Sequence, residues 1–437
     1  MASSTTLRSA GLLECFHIVR HHLSLDSCVV VAAKYASLDG RSLSQETLFA
    51  ALKTVVEKHP SLCLKVQQED AKPSYAKLDK VDLSLVVQFS DAEDVELAIQ
   101  RQLSTRFDTS AELPLWRLQV LANNTVVFAY HHGIGDGLSG VAFHMTLLDA
   151  VKVMTPNESL QTIVEIPKSI ALPLPLEKVT NLRPSIFKIL AEILGLFLPV
   201  SWTRLGSAWT GNPVPAAKPN LEPRVKLITL TSSEMNTFSQ VCRSHKATVT
   251  SALYVLAATT ISRLIPPSSE KYTKLVAAVA ISLRGPANAS ADLMCDYVTA
   301  HKSYPLIDTV FDWSKATSYA TELQRQRLVS RQEVGMLSLL SGNYIGFFNS
   351  QLGRKRGSTF EISNAGRIAS SEGQWRIEDM VFAQCNVILG SALTMSVVGD
   401  PTGAMTIALT WSETAVDDML AEAYATEFVD GFRALLV

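Results

Sequence analysis

Two stretches of the chain carry the pattern His-His-x-x-x-Asp, which puts imidazole groups near a carboxylate. The first is "HHLSLD" at residues 21–26, and the second is "HHGIGD" at residues 131–136. Imidazole titrates near neutral pH, so a histidine held beside a hydroxyl group can serve as a general base. A chain of 437 residues with nine histidines should contain about 0.4 chance matches to the bare His-x-x-x-Asp spacing. The surrounding residues must therefore decide whether either copy carries chemistry.

The surroundings favour the second copy. It follows the apolar run "TVVFAY" and precedes the predicted helix "LSGVAFHMTLLDAV". The connection contains four glycines, which permit positive φ angles and close approach by another group: Gly133, Gly135, Gly137 and Gly140. α/β proteins commonly place reactive side chains where a strand opens onto such a loop. The first copy leads into the predicted strand "CVVVAAKY" without a sharp turn, so we predict that His22 and Asp26 are ordinary residues on the approach to that strand.

Alternatives to a general base at the second copy stay open. A metal site could use His131, His132 and Asp136, although adjacent side chains on a strand point to opposite faces and no further ligand cluster accompanies them. A structural turn around a buried histidine is the other interpretation. Serine catalysis is disfavoured, because "GLSGV" at residues 137–141 lacks the second glycine of a Gly-x-Ser-x-Gly elbow. The cysteines lie in apolar surroundings, which predicts buried thiols.

Composition excludes several classes of protein. The formal net charge is −2 without a long basic or acidic block, which argues against nucleic-acid binding. The six cysteines form no Cys-x-x-Cys pair, which argues against a zinc site and a dense disulfide framework. The N-terminus lacks an apolar segment of signal-peptide length, and no stretch offers the ~18 uncharged apolar residues of a spanning helix. We expect a reduced, cytoplasmic location and a monomer.

The distribution of prolines predicts how the chain is divided. Half of the 18 prolines fall between residues 167 and 223, and predicted strands and helices alternate on both sides. We predict an N-terminal subdomain at 1–170, a proline-rich crossover at 171–223 and a C-terminal subdomain at 224–437. The predicted fold class is α/β, in which each subdomain is a mixed sheet flanked by helices and a channel lies between the two.

An apolar helix is predicted inside the crossover. The stretch "SIFKILAEILGLFLPVSW" at residues 185–202 is dense in apolar residues, and Lys188 and Glu192 share one face at i, i+4 spacing. We expect this helix to pack on the protein. Contact with the surface of an internal membrane is the alternative.

A basic cluster stands in "QLGRKRGS" at residues 351–358. Arg354, Lys355 and Arg356 lie between glycines there. A solvated loop and a contact with phosphate groups are the two interpretations.

The quoted motifs resemble a known family. "HHGIGDG" resembles the His-His-x-x-x-Asp-Gly motif of chloramphenicol-acetyltransferase-like acyltransferases, which include the plant BAHD enzymes and the condensation domains of peptide synthetases. The opening "GLLECFHIVRHHLSLDSCVVVAAKY", "EKHPSLCLKV", "EISNAGRI" and the final "GAMTIALTWSE" are similar to the fungal alcohol O-acetyltransferase family, in the same order. The "DFGWG" motif of BAHD enzymes is missing, and "EDMVFAQ" stands in its place.

The resemblance implies a set of site residues. His132, the second histidine of the motif, is the general base in such enzymes, whereas the motif aspartate, Asp136, points away and pairs with an arginine. "AISLRGP" nominates Arg284 for that ion pair. The matching segment "EISNAGR" nominates Ser363 or Asn364 as a donor to the oxyanion of the transition state.

The resemblance also implies a reaction. We expect an acyl-CoA-dependent O-acyltransferase that moves the acetyl group of acetyl-CoA, as co-substrate, to a hydroxyl of a small alcohol or secondary metabolite, with no bound cofactor. The basic loop Arg354 to Arg356 is then the candidate contact for the phosphates of coenzyme A. The alternatives are an acyltransferase that uses an amine acceptor or a carrier-bound acyl group, and a non-catalytic binding protein of the same fold.

Overall fold

The computed structural model describes residues 6–154, 160–218, 220–266, 271–370, 372–385 and 388–437. Its strands are β1 Thr6–Ser9, β2 Val29–Ser37, β3 Leu64–Gln67, β4 Ser74–Lys77, β5 Lys80–Asp82, β6 Val87–Ser90, β7 Trp116–Leu121, β8 Thr125–Tyr130, β9 Ile163–Glu165, β10 Ala208–Trp209, β11 Arg224–Leu230, β12 Lys274–Leu275, β13 Ala277–Ser282, β14 Val298–Ser303, β15 Phe360–Arg367, β16 Trp375–Gln384, β17 Leu393–Gly399 and β18 Met405–Trp411. Its helices are α1 Leu12–His22, α2 Gln45–Lys58, α3 Leu83–Val86, α4 Val95–Ser104, α5 Gly137–Val153, α6 Leu176–Val179, α7 Ile186–Phe197, α8 Ser232–Ser244, α9 Val249–Leu264, α10 Trp313–Val329, α11 Arg331–Met336, α12 Tyr344–Asn349 and α13 Asp418–Ala434. The predicted α/β class is confirmed.

The N-terminal half is built around a five-stranded sheet in the order β16-β2-β8-β7-β6. The pair β6–β7 is parallel and the other pairs are antiparallel. Val31 on one face packs in the same core as Phe49 of α2 and Phe143 of α5. Val30 on the opposite face packs with Ile99 of α4. Because both faces are covered, β2 and β8 are apolar along most of their length and do not alternate with polar residues.

The C-terminal half is built around a six-stranded sheet in the order β11-β18-β17-β15-β13-β14. Its central strands β13, β15 and β17 run parallel, whereas β14, β18 and β11 add antiparallel edges. Helices α8, α9 and α13 cover this sheet, and Phe238, Leu253 and Phe428 from these helices share one core. Two sheets, each with its own helices and core, therefore make up the fold.

One strand crosses between the halves. Strand β16 follows β15 in the chain, but it pairs antiparallel with β2, and Phe382 lies opposite Val31. The predicted subdomain boundary at residue 224 therefore does not separate the two sheets, since residues 375–384 complete the N-terminal one. The order of apolar and polar residues along a strand indicates which of them are buried, but it does not indicate which sheet the strand joins.

The predicted crossover contains regular structure. It holds α6, α7 and β10, and β10 pairs in parallel with β12. The expectation that residues 185–202 pack on the protein does not hold for the apolar side chains of α7, because Phe187 and Leu194 are 80% and 65% exposed. Lys188 on the other side of the helix forms an ion pair with Glu333. None of the described helices is both long and apolar enough to cross a membrane.

Candidate active site

The motif loop connects β8 to α5. Strand β8 ends at Tyr130, a single turn of 3-10 helix follows at residues 132–134, and Asp136 is the N-cap of α5. The carboxylate of Asp136 accepts hydrogen bonds from the backbone N–H and the hydroxyl of Ser139, both at 3.0 Å. A capping aspartate pairs N–H groups at a helix start that otherwise have no partner. The loop is therefore fixed at the end that carries the motif aspartate.

The glycines of this loop allow close packing. A Cβ atom on Gly140 would lie 2.3 Å from Cγ2 of Val31, and one on Gly137 would lie 2.6 Å from Cζ of Phe382. None of the four loop glycines lies in the left-handed region, and Gly135 is extended with a φ of 179°. The left-handed angles that glycine permits are therefore not used in this loop. Their small size lets the start of α5 press against β2 and β16.

Asp136 and Arg284 meet in the interior. Nη2 of Arg284 lies 2.6 Å from Oδ1 of Asp136, and the two side chains are 6% and 4% exposed. Nη1 of Arg284 donates to the carbonyl of Leu293 at 2.6 Å, and the N–H of Tyr297 donates to Oδ2 of Asp136 at 3.2 Å. The ion pair therefore fastens the motif loop of the N-terminal half to the segment that precedes β14 in the C-terminal half.

His132 lies beside a second histidine. Its ring stacks on the ring of His17 in α1, with centroids 3.6 Å apart and planes 4° from parallel. Burial lowers the pKa of His132 to about 3, so the imidazole is neutral at neutral pH. Its side chain nevertheless keeps 13% exposure. A neutral, partly accessible imidazole is the form that can accept a proton.

His131 has a structural environment. It is 1% exposed, its Nδ1 accepts from the N–H of Gly133 at 2.9 Å, and its ring lies 4.5 Å from that of His21. The prediction that His131 and His132 point to opposite faces is wrong, because both rings contact α1. Strand alternation ends at Tyr130, where the backbone enters the 3-10 turn.

The first copy of the pattern ends a helix. His22 is the last residue of α1, so the predicted strand approach is helical up to that point. The His22 side chain is 41% exposed and lies 3.4 Å from a carboxylate oxygen of Glu69. Asp26 is buried and bonded to Arg20. This copy therefore supplies a helix end and an ion pair.

Two groups at the site, His17 and Asp296, were not predicted from the sequence. Oδ1 of Asp296 lies 3.8 Å from Nδ1 of His132, and its Oδ2 lies 3.5 Å from Nε2 of His17. The carboxylate is fully buried. A helical signal was available for His17, since it stands four residues before His21 on the buried face of α1. Asp296 lies in the loop before β14, and no sequence pattern around it predicts that it reaches the site.

In the described part of the chain, His17, His132 and Asp296 are also the group whose ligand atoms lie close enough together to bind one metal ion. A histidine nitrogen binds a metal along its lone pair, which lies in the ring plane. The rings of His17 and His132 are stacked with nearly parallel planes, so no single point lies in both planes. The observed arrangement therefore does not fit a shared ion.

The family of the chain follows from comparison with known proteins. A model described as alcohol acetyltransferase matches residues 9–436. The chain belongs to the alcohol acetyltransferase family. It is thus an acyltransferase, as the sequence predicts.

The sequence identity between this acetyltransferase and its individual relatives is low. It is 22% identical to a Fusarium pseudograminearum protein described as "Probable alcohol acetyltransferase FCK4", over 95% of this chain and 92% of that one. It is 24% identical to the "Probable alcohol acetyltransferase crmB" of Aspergillus fumigatus, over 94% and 96%. The solved structure of the TRI3 trichothecene 15-O-acetyltransferase from Fusarium sporotrichioides matches with a TM-score of 0.73 at 13% identity, over 98% and 94%.

A condensation domain shares the fold. The condensation domain of the Monacolin K polyketide synthase MokA matches with a TM-score of 0.65 at 12% identity, over 99% of this chain and 98% of that one. At such identity the likeness describes the fold alone. It confirms the predicted chloramphenicol-acetyltransferase-like architecture.

The two oxyanion candidates of the acetyltransferase lie on β15. The amide nitrogen of Asn364 donates to Oγ1 of Thr250 at 3.1 Å, and its oxygen accepts from the N–H of Gly366 at 2.8 Å. Each end of this amide thus has one partner, which fixes its orientation and leaves one of its two N–H donors without a protein acceptor among the described residues. Ser363 is half-buried, and it remains the better candidate of the two.

The basic loop of the acetyltransferase is mostly structural. Arg356 is fully buried and donates to the carbonyls of Ile388 and Gly390 at 2.6 and 3.0 Å. Lys355 lies 4.4 Å over the ring of Tyr272. The expectation that all three basic residues contact coenzyme A does not hold for Arg356, whose guanidinium is enclosed by backbone oxygens. Arg354 is exposed.

Two adjoining cavities lie near the site of the acetyltransferase, and the smaller one reaches the motif loop. The side chain of His132 does not line either of these two cavities. The smaller, of about 10 Å³, is lined by Gly133, Ile134 and Asp296 among others, and the larger is about 350 Å³. Leu172 and Met294 line both. Their walls come from both halves and from the crossover. The larger volume is within the range of small-molecule pockets.

Proposed function

We propose that this acetyltransferase transfers the acetyl group of acetyl-CoA to a hydroxyl of a small alcohol or secondary metabolite, with His132 as the general base. The observation that carries the proposal is the neutral imidazole of His132, held at the junction of the two halves with part of its surface accessible. Membership of the alcohol acetyltransferase family supports a hydroxyl as the acceptor.

The reaction needs proton removal more than it needs activation of the donor. A thioester is already reactive, but an alcohol is a weak nucleophile at neutral pH. Nε2 of His132 takes the hydroxyl proton while the oxygen attacks the thioester carbonyl, and a tetrahedral oxyanion forms. Collapse of this intermediate breaks the C–S bond, and the imidazolium returns the proton to the departing thiolate. General-base catalysis of this kind contributes about 10²–10⁴-fold.

Two further groups support this reaction. The ion pair between Asp136 and Arg284 sets the shape of the loop that carries His132, and takes no part in proton transfer. The hydroxyl of Ser363 is the proposed donor to the oxyanion, because the amide of Asn364 is committed to Thr250. Removing one donor to an oxyanion costs on the order of 10²–10³-fold in kcat in other enzymes.

The larger cavity is the proposed acceptor pocket. Its lining includes the apolar side chains Leu172, Leu293 and Met294, and its one lysine, Lys58, is paired at 3.5 Å with Asp292 of the same lining. A small, largely apolar alcohol fits this lining better than the phosphates of coenzyme A do. The change Leu172→Trp should raise KM for the acceptor at least ~5-fold and leave KM for acetyl-CoA nearly unchanged. Leu160→Trp, on an exposed site, is the control.

For the donor, we propose that Arg354 of the basic loop contacts the phosphates of coenzyme A. Arg354→Glu should raise KM for acetyl-CoA and leave KM for the acceptor unchanged. An unchanged KM for acetyl-CoA would mean that Arg354 faces solvent and does not contact the donor.

We further propose that α7 docks on an anionic bilayer surface. Its exposed apolar side chains recur at helical spacing on one face: Ile186, Phe187, Leu190, Ile193 and Leu194. Exposed arginines flank the helix at Arg183 and Arg204, so cationic groups border the apolar face at both ends. An apolar face with basic flanks is the composition that anionic bilayers bind.

Vesicle flotation tests this docking. The protein should float with phosphatidylcholine–phosphatidylserine vesicles, and Phe187→Asp combined with Leu194→Asp should abolish flotation without changing turnover. Leu328→Asp, at a site with comparable exposure on α10, should float normally. Flotation of the double variant would overturn the proposal. A wild-type dimer that becomes a monomer in the double variant would also overturn it, because the apolar face would then bind a second copy of the chain.

The proposed reaction is tested by following free thiol release from acetyl-CoA in the presence of panels of small alcohols and amines. Release should require both acetyl-CoA and an alcohol, and the product should be an acetate ester. Preference for amines, or for an acyl group on a carrier protein over acetyl-CoA, would replace the proposed function by one of the alternatives from the sequence. No acyl transfer with any donor would favour a binding role.

A further inference from the structure

Four buried polar atoms near the proposed base have no hydrogen-bond partner among the described residues. They are Nε2 of His17, Nδ1 of His132 and both carboxylate oxygens of Asp296. Buried polar groups are nearly always bonded, so such a group calls for an explanation. All four face one another, at 3.5 Å between His17 and Asp296 and 3.8 Å between His132 and Asp296. The cluster is therefore one unit.

The backbone on either side of Asp296 is held by the motif loop. The carbonyl of Cys295 accepts from the N–H of Asp136 at 3.1 Å and from the hydroxyl of Ser139 at 2.9 Å. The N–H of Tyr297 donates to the carboxylate of Asp136 at 3.2 Å. The same loop thus carries His132 and grips the two neighbours of Asp296, which fixes the carboxylate relative to the imidazole.

The protonation of His17 follows from its other neighbour. Nη2 of Arg20 lies 3.4 Å from Nδ1 of His17, and a guanidinium can only donate. Nδ1 of His17 must therefore accept, and burial lowers the pKa of His17 well below its ordinary value, so the ring is neutral. A neutral ring that accepts at Nδ1 carries its proton on Nε2, which faces Oδ2 of Asp296. The N–H of His17 thus faces the carboxylate, at a separation of 3.5 Å that is longer than a hydrogen bond.

We propose that Asp296 is a positioning residue that holds the proton of neutral His132 on Nδ1, and that His17 fixes both the carboxylate and the ring plane of His132. The proposal rests on the proposed function, in which His132 is the base. With the proton on Nδ1, the lone pair of Nε2 is free to face the acceptor hydroxyl. When Nε2 takes that proton, the carboxylate stabilises the imidazolium until the thiolate removes the proton. The observed separations exceed a hydrogen bond, and such contacts commonly shorten when substrates bind.

An ionised Asp296 would offset the effect of burial on the base. A histidine whose pKa lies near 3 is a weak proton acceptor, and an anion close to Nδ1 raises the basicity of the ring. The charge of Arg20 also lowers the pKa of His132, whereas a hydrogen bond to the backbone of His132 itself raises it. Burial in turn raises the pKa of Asp296 well above its ordinary value. The other charged groups that face Asp296 are two carboxylates that raise this pKa and two guanidiniums that lower it: Asp136, Glu14, Arg20 and Arg284.

The protonation state of Asp296 therefore controls the base. A protonated Asp296 would donate to Nδ1 of His132 and leave the proton of the ring on Nε2, where it blocks catalysis. Activity should fall on the acid side with an apparent pKa that belongs to the Asp296–His132 pair and not to either residue alone.

The change Asp296→Asn tests the proposal, because it keeps the shape and removes the anion. We expect kcat to fall at least ~10²-fold with little change in KM, and the acid limb of the pH profile to vanish. The melting temperature should stay the same or rise, since a raised pKa means that the ionised carboxylate destabilises the folded state at neutral pH. Nitrogen-15 spectra of the histidines should show the His132 proton on Nδ1 in the wild type and on Nε2 in the variant.

Two further variants sharpen the test. His17→Phe keeps the stacked ring but removes the donor, so kcat should fall less and the acid limb should move to higher pH. Asp400→Asn removes a buried carboxylate that accepts from the backbone of Thr402 and Gly403, and it should lower stability without changing kcat.

The outcomes separate this inference from the proposed function. Wild-type kcat in Asp296→Asn, together with an inactive His132→Ala, would overturn the positioning role alone. Full activity in His132→Ala would overturn both. Stoichiometric zinc in the purified wild type that Asp296→Asn loses, with activity that chelators abolish, would assign the cluster to a metal site and overturn the proposal.

Discussion

Residues 21–26 and residues 131–136 spell the same pattern, but they occupy opposite ends of helices. The first copy ends α1, and Asp26 turns back to Arg20 within the same stretch of chain. The second copy precedes α5, and Asp136 both caps that helix and reaches Arg284, 148 residues away. The pattern itself is therefore silent about function. What separates the copies is the helix start that follows the second one and the distant partner of its aspartate.

The two copies nevertheless meet in space. His17 and His21, one turn apart on α1, contact His132 and His131 respectively. The helix that ends in the first copy thus forms the wall against which the second copy packs. The first copy therefore supports the site structurally, although it contributes no reacting group.

Removal of Asp136 should have the largest effect. Asp136→Ala leaves the guanidinium of Arg284 buried without its partner, which typically costs ~3–5 kcal/mol in the free energy of unfolding. We expect activity and stability to be lost together, in denaturant unfolding and in initial rates. An unchanged melting temperature would contradict the structural role of the ion pair.

Acidification should destabilise both histidine pairs. Burial lowers the pKa values of His17, His21, His131 and His132, so below about pH 6.5 the unfolded chain binds protons that the folded chain does not. Each such histidine removes on the order of 1.4 kcal/mol of stability per pH unit between its unfolded and folded pKa values. Melting temperatures measured from pH 8 to pH 5 should be flat above pH 7 and fall steeply below pH 6. A flat profile to pH 5 would mean that these rings are not neutral and buried.

The aspartate of the first copy should matter less than that of the second. In Asp26→Ala the guanidinium of Arg20 keeps its contact with His17 and its position 5.5 Å over the ring of Phe16. We expect a loss of about 1–3 kcal/mol and a change in kcat below ~10-fold. If Asp26→Ala loses as much activity as Asp136→Ala, the contrast between the copies is wrong.

His131→Ala should affect folding more than turnover. It removes the acceptor for the N–H of Gly133, and a buried donor without a partner costs about 1–3 kcal/mol. We expect kcat within ~10-fold of the wild type once the protein is folded. A large loss of kcat at unchanged stability would instead give His131 a part in the chemistry.

The smallest effect is expected at His22. Its side chain is 41% exposed, and its one described ion pair is with Glu69, whose side chain is 14% exposed. A pair with one exposed partner contributes about 0–1 kcal/mol, so His22→Ala should leave kcat and stability nearly unchanged. A loss of kcat above ~10-fold would contradict this assignment.

The strands and helices with strong periodicity were predictable, and so was the motif loop. Strand β2 and helix α5 lie close to their predicted positions, because a continuous apolar run or dense apolar residues at helical spacing mark them locally. The pairing partner of β16 was not predictable, since both faces of that strand are buried whichever sheet it joins. The resemblance to a family nominated His132, Asp136 and Arg284.

Long-range contacts account for what the sequence did not reveal. Asp296 is held at the site because the backbone of its two neighbours bonds to the side chains of Asp136 and Ser139, more than 150 residues earlier. No local sequence pattern predicts such a contact. Arg356 looked like part of a solvated basic loop, but it is enclosed by carbonyls of residues 388 and 390. Burial of a charged side chain depends on the tertiary fold and not on the composition of its loop.

The most direct test of the central claim is steady-state kinetics of His132→Ala with acetyl-CoA and an accepted alcohol. We expect kcat to fall ~10²-fold or more, on the usual scale for a lost general base, with KM values and melting temperature close to those of the wild type. A His132→Ala protein that transfers acetyl groups at the wild-type rate would contradict the account.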